Sequence, residues 1–281
     1  MENYATIMAI NNAYPDLFEQ ERKVAEYILK NPEAVTNMSV TELAEKSNVS
    51  DATIIRFSKK VGFKGFYHFK ISLAKDIIDP ETKISTHIDV ENIKASIDNI
   101  FSYKIEEIKK TADVIDTTSV KNCIDLIVNC DSLYFFAAGN SNPVAVYAAY
   151  QFSQAGIKTV VNITPEMQIN AAFSMGENDV AFGISNSGST RMMLDVFEIT
   201  QKRKIKSICI TSYAKSPLAQ LSDCTLHTVM TEKIFFEAFS SSRMMPMVVI
   251  DALLLLLSKN KTIDAYKHNS NCEQYLAKYK Y

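Results

Sequence analysis

Apolar positions from Pro15 to about Ile78 recur at helical spacing. Leu17, Val24, Ile28 and Leu29 share one face, and Asn31-Pro32 ends that helix because proline removes an amide donor. Three short helices follow over 40–46, 51–60 and 65–78, with no strand-like alternation before residue 80. Asp79-Pro80-Glu81-Thr82 breaks the rhythm, a polar stretch continues to about residue 90, and helical spacing resumes over 91–115. The pattern predicts a domain over 1–78, a linker over 79–90, and a second domain over 91–281 with a leading helix and a C-terminal helical tail.

Beyond residue 118 short apolar runs alternate with helices. The runs are 132–138, 158–163, 179–184, 207–211 and 225–229; the helical stretches are 142–155, 166–174, 190–203, 214–221 and 232–259. Strands separated by helices of this length must pair in parallel, since each crossover returns along a helix. The expected fold is an all-α helix-turn-helix bundle followed by an α/β, doubly wound, five-stranded parallel sheet. Ligands of such sheets bind at the carboxyl ends of the strands.

Composition agrees with two folded domains: of 281 residues, 47% are hydrophobic and 22% charged. The most apolar run, 244–257, is interrupted by Pro246 and Asp251 and is shorter than the roughly 20 residues of a membrane span, so a buried helix is expected and no membrane partner. The N-terminus carries no basic region followed by an apolar one, and the five cysteines form no C-x-x-C pair; Cys209 and Cys224 lie in or beside strand-like runs as small hydrophobes. A cytoplasmic protein is expected. The formal net charge of -2 excludes a uniformly basic coat, but residues 40–75 hold seven bases against three acids.

That basic segment reads 40-VTELAEKSNVSDATIIRFSKKVGFKGF-66. Val40, Leu43 and Ala44 face one way on a short helix, Ser47-Asn48-Val49 makes a turn, and Ser50 is a good N-cap for the next helix. In that helix Ile54, Ile55 and Phe57 are expected inward, leaving Ser50, Asp51, Thr53, Arg56, Lys59 and Lys60 on outer and terminal surfaces. As a recognition helix it would offer Thr53 and Arg56 to base edges, and Lys59, Lys60 and Lys64 to phosphates. A plain helical bundle with a solvated basic face is the alternative.

Two predicted strand ends carry polar loops before a helix start: 135-FFAAGNSNPVAVYAAY-150 and 183-GISNSGSTRMMLD-195. Unpaired amides and the positive end of a helix dipole meet at each, a setting for an anion. Gly188 allows a tight turn, the hydroxyls of Ser185, Ser187, Ser189 and Thr190 add donors without charge, and Ser141 would close a phosphate cradle from the side. A helix cap with spare hydroxyls is the competing reading. Nucleotide fingerprints are missing: Arg191 stands where a P-loop would need lysine, and Gly139 stands alone. Ser187 lies in no nucleophile elbow, and the four histidines (His68, His87, His227, His268) show neither a link to it nor metal-ligand spacing. No catalytic residue, metal or cofactor is expected.

The run SVTELAEKSNVSDATIIRFSKKVGFKGFYHFKISLA, above all Thr53-Ile54-Ile55-Arg56-Phe57 and Gly62-Phe63-Lys64-Gly65-Phe66, resembles the DNA-binding domain of RpiR-type bacterial transcriptional regulators. Residues of about 118–245 resemble a SIS (sugar isomerase) domain, an αβα sandwich in which an I-S-x-S-G-x-T loop and a G-x-S loop hold the phosphate of a phosphosugar. The resemblance matches Ser141 to the first loop's position and Ser185, Ser187 and Thr190 to the second, with Asn186 and Ser189 at variable positions that offer backbone amides. It further implies sugar contacts, for which Glu166 and Glu237 are candidates, although Thr164-Pro165-Glu166 also makes a good helix start. An arginine and glycine common in RpiR-type chains are replaced here by Phe235-Phe236-Glu237-Ala238-Phe239-Ser240. Together the resemblances imply a regulator with operator DNA and a phosphorylated sugar or amino sugar as partners. It would act as a homodimer or higher homo-oligomer, with 91–115 and 244–257 as candidates for self-association. A SIS-type isomerase or lyase with an accessory helical domain is the alternative, with Glu232, Glu237 or His227 as its catalytic candidates.

Overall fold

The computed structural model describes residues 5–77, 89–229, 243–260 and 265–279. By its internal contacts the chain divides into two compact units, the first running to Lys109 and the second beginning at Lys110.

The first unit is helical. Its elements are α1 (Ala5–Ala13), α2 (Glu19–Lys30), α3 (Pro32–Thr36), α4 (Val40–Ser47), α5 (Asp51–Lys60) and α6 (Phe66–Ile77). Pro32 stops α2 and opens α3, where a missing amide costs nothing. Ser39 begins α4 with a capping box: its hydroxyl accepts from the Glu42 amide at 3.1 Å while its own amide reaches the Glu42 carboxylate at 2.7 Å. Helix α1, absent from the sequence expectation, has its first amides satisfied from another element, Thr6 and Ile7 both donating to the Asp76 carboxylate of α6. The core gathers Val24, Ile28, Leu43, Ile54, Phe57 and Phe69, with the Phe57 and Phe69 rings edge to face.

The helix α7 (Ile93–Val114) spans the division between the units. The sequence places the boundary at 79–90, most of which lies outside the described residues. From there the order is α8 (Thr117–Asn129), β1 (Leu133–Ala137), α9 (Asn142–Gln154), β2 (Thr159–Val161), α10 (Pro165–Ser174) and β3 (Val180–Ile184). It continues with α11 (Arg191–Lys202), β4 (Lys206–Thr211), α12 (Pro217–Leu221), β5 (Cys224–His227), α13 (Met244–Leu257) and α14 (Ala265–Leu276).

All five strands are parallel in the order β2-β1-β3-β4-β5. Side chains alternate between two cores, as the strand period of two requires. Phe135, Phe182, Ile184 and Ile210 pack on one face with α8, α9 and α13; Phe136, Ala181 and Cys209 pack on the other with α10, α11 and α12. Gly183 lets α11 lie close to the sheet, since a Cβ there would fall 2.5 Å from the Phe197 ring.

The expected helix over 232–259 is described only from Met244, which places Pro246 in the first turn, where proline is tolerated. It is not buried all round: Met245, Val249, Ile250, Leu253 and Leu257 face the core, whereas Leu255 is 71% exposed. Among the described residues no helix is long and apolar enough to cross a membrane.

Candidate functional site

The strand order reverses between β1 and β3, which pair to their last residues, Ala137 opposite Ile184. The loops that follow therefore leave neighbouring strands, about 5 Å apart, on the same side of the sheet. One loop carries Ser141, the last residue of a 3-10 turn that leads into α9. The other runs from Ser185 to Thr190, the N-cap of α11. Neither Ser141 nor Thr190 spends its hydroxyl on capping its helix.

Within the second loop Ser185 is buried, its amide bonded to the Ile210 carbonyl at 3.1 Å. Ser187 Oγ accepts from the Ser189 amide at 3.3 Å, and the Ser189 hydroxyl donates to the Ser187 carbonyl at 3.1 Å. Gly188 adopts φ +58°, and a Cβ on it would lie 2.0 Å from Ser216 Oγ. Arg191 turns outward and is 74% exposed, pairing with Asp195 at 2.7 Å. The hydroxyl loop thus leads into the N-terminus of α11 with that arginine directed away from it.

Three residues that the sequence reading did not single out hold this loop from the β4 and β5 side. The Asn186 carbonyl accepts from Thr211 Oγ1 at 3.1 Å and from the Ser212 amide at 3.0 Å. Ser212 Oγ also reaches Asn186 Oδ1 at 2.5 Å and Thr228 Oγ1 at 2.8 Å. Asn186 thus acts through its side chain as well as its backbone. On the β1 side, Gln168 of α10 is fully buried and grips Ala137 twice, accepting from its amide at 3.2 Å and donating to its carbonyl at 2.8 Å. Strand β2 ends opposite Phe135, so Gln168 supplies the partner that the strand does not. The bonds to Asn186 and Ala137 come from residues 25 to 31 positions away and leave no local spacing to read.

Glu166 sits exposed in the first turn of α10, behind the N-cap Thr164, whose hydroxyl accepts from the Met167 amide. Glu232 and Glu237 lie outside the described residues. His227 closes β5 with Nδ1 buried and unbonded, and burial lowers its pKa, which favours the neutral ring. A cavity of about 440 Å³ opens at the opposite, amino-terminal edge of the sheet, lined by Asp125, Glu177, Asp179, Lys206 and Asp223 among others. Strand polarity argues for the carboxyl edge as the ligand site, and the cavity's acidic lining does not suit an anion.

In the helical unit, Asn48 at φ +53° ends α4, and Ser50 caps α5 by accepting from the Thr53 amide at 3.3 Å. Asp51 is committed to the pair itself, accepting from Thr41 Oγ1 at 2.8 Å. Two expectations are overturned: Thr53 is buried, at 4% exposure, and Ile55 is exposed, at 42%. A helix turns about 100° per residue, so an inward stripe through Ile54, Phe57, Ser58 and Val61 carries Thr53 with it and turns Ile55 out. Thr53 Oγ1 meets Ser50 Oγ at 2.9 Å and receives Arg56 Nη2 at 3.4 Å, so it orients Arg56 rather than facing out.

Arg56, Lys59 and Lys64 are exposed. Lys60 is instead tied to Glu21 at 2.8 Å, and Lys70 is buried against the Met38 carbonyl at 2.7 Å, so the outward basic face is smaller than the count of charges suggests. Burial would raise the Glu21 pKa, but the hydrogen bonds from Lys60 and the Phe18 amide, with Arg56 nearby, outweigh it and hold the carboxyl below its usual value. A depressed folded pKa stabilises above the unfolded value, near 4.3, and that contribution is lost as pH falls through the folded one. The unfolding temperature of the helical unit should therefore drop as pH falls below about 4.3, and Glu21→Gln should remove part of that acid dependence.

Residues 4–80 match the helix-turn-helix domain of the rpiR family, and residues 126–256 match the SIS domain. An HTH-type transcriptional regulator of Caldanaerobacter subterraneus is 31% identical over 258 residues, covering 92% of each chain. The HTH-type transcriptional regulator HexR of Pseudomonas aeruginosa is 26% identical over 97% of this chain and 95% of its own. Among solved structures, the Vibrio vulnificus NanR protein complexed with ManNAc-6P has a similar fold, with a TM-score of 0.80 and 22% identity over 97% of this chain and 98% of that one.

Proposed function

Because the chain belongs to the rpiR family of helix-turn-helix transcriptional regulators, we propose that its α4–α5 pair binds operator DNA and its SIS domain senses a phosphorylated sugar or amino sugar. The observation that carries the effector half is the pair of hydroxyl-bearing loops at the β1/β3 reversal, each leading into a helix N-terminus. Ser141, Ser185, Ser187 and Thr190 supply hydroxyl donors to the phosphoryl oxygens, while Asn186, Gly188 and Ser189 shape the turn. Glu166 and Glu237 are the candidates for the sugar's hydroxyls. The complex of NanR with ManNAc-6P, on a similar fold, supports a ligand of this chemistry.

On the DNA side Arg56 is the base-edge candidate, with Lys59 and Lys64 on phosphates and Ser50 at the helix start. Thr53 and Asp51 position this face, and the Glu21 bond restrains Lys60. Regulation then requires that the sugar phosphate prefer one of two geometries of a homo-oligomer, since a ligand without preference shifts nothing. A coupling of about 1–3 kcal/mol, roughly 5- to 150-fold in DNA affinity, is the usual scale. The assignment contains no catalytic residue and places the protein in the cytoplasm.

A thermal-shift series on the full-length protein tests the effector. One sugar phosphate should raise the unfolding temperature, by about 2.7 kcal/mol of stabilisation at a hundredfold excess over Kd, while its unphosphorylated parent should not. Equal shifts from sugar and sugar phosphate would remove the phosphate assignment, and turnover of the ligand by the protein would favour an isomerase or lyase.

A further inference from the structure

The outer face of α5 presents Ala52, Ile55, Arg56 and Lys59, all exposed and spaced one and two turns apart. Single exposed apolar side chains are ordinary on protein surfaces. This one is set apart by its place: from Val40 to Lys60, Ile55 is the only large apolar side chain among the exposed ones, and it lies beside Arg56 on the face meant for DNA. Thr53, which could have offered a hydroxyl to a base, is turned inward and bonded to Ser50 and Arg56.

In the major groove the one apolar feature on a base edge is the C5-methyl group of thymine. Lysines on phosphates fix position but carry no sequence information. We propose that Ile55, with Ala52 one turn before it, reads thymine methyl groups and supplies specificity that lysines on phosphates cannot. This rests on the DNA-binding reading of α5 and extends it.

The test uses the full-length protein to select a binding duplex from a random-sequence library. Each thymine is then replaced singly by deoxyuridine, which pairs identically but lacks the methyl group. At one or two positions the replacement should weaken wild-type binding about fourfold, the transfer value of one buried methyl. Ile55→Ala should bind the parent duplex less tightly and no longer distinguish thymine from deoxyuridine at one of those positions. The proposal is overturned if no replacement affects the wild type, or if Ile55→Ala keeps the full discrimination. If no duplex gives a salt-sensitive complex, DNA binding itself fails and this proposal falls with it. That result is distinct from a stable complex that ignores methyl groups.

Discussion

Gly188→Ala should destabilise the SIS domain by about 2–5 kcal/mol and abolish sugar-phosphate binding. Two costs add. At φ +58° a residue with a Cβ loses roughly 1–2 kcal/mol to left-handed strain. The new methyl would also lie 2.0 Å from Ser216 Oγ, 2.4 Å from Ser216 Cβ and 2.9 Å from Thr211 Oγ1, and overpacking of this kind costs about 1–3 kcal/mol. Neither neighbour yields freely, because Ser216 caps α12 through the Ala219 amide and Thr211 Oγ1 holds the Asn186 carbonyl. The Gly188 carbonyl is itself engaged by the Leu218 amide at 2.9 Å. Relief would therefore come from moving the hydroxyl loop. Thermal unfolding and effector titration of the variant check this, and wild-type behaviour in both would contradict the packing argument.

Much of the architecture was legible because its signals are local. Each strand run predicted from the sequence overlaps an observed strand, with ends displaced by at most two residues, since a parallel sheet buried on both faces demands continuous apolar runs. Helix α5 covers the span expected for it, 51–60, and Ser50 marks its start. The misses have tertiary causes. Helix α1 depends on Asp76 for its first hydrogen bonds, seventy residues away. Ile54 and Ile55 are equally apolar, and only packing against the rest of the helical unit decides which of them turns inward. The polar character of the two loops was visible in the sequence, but their bracing by Gln168, Thr211, Ser212 and Thr228 exists only once the sheet has formed.

The other large effect is a separation of functions. A hydroxyl that donates to a charged phosphoryl oxygen is worth about 1.5–3 kcal/mol, so Ser187→Ala should weaken effector binding roughly 10- to 150-fold. Ser187 belongs to the second unit and α5 to the first, and DNA affinity without effector should stay near wild type. Arg56→Ala should do the reverse. Loss of one base or phosphate contact costs about 1–3 kcal/mol, and loss of a phosphate contact lowers the salt slope of binding by about one.

The most direct measurement is DNA affinity of wild type, Ser187→Ala and Arg56→Ala, each titrated with and without the sugar phosphate that stabilises the wild type. The account predicts that Ser187→Ala binds DNA normally and fails to respond to effector. Arg56→Ala should bind DNA weakly while still taking up effector with wild-type affinity. If Ser187→Ala binds and responds to the sugar phosphate as the wild type does, the loop from Ser185 to Thr190 is not the phosphate site.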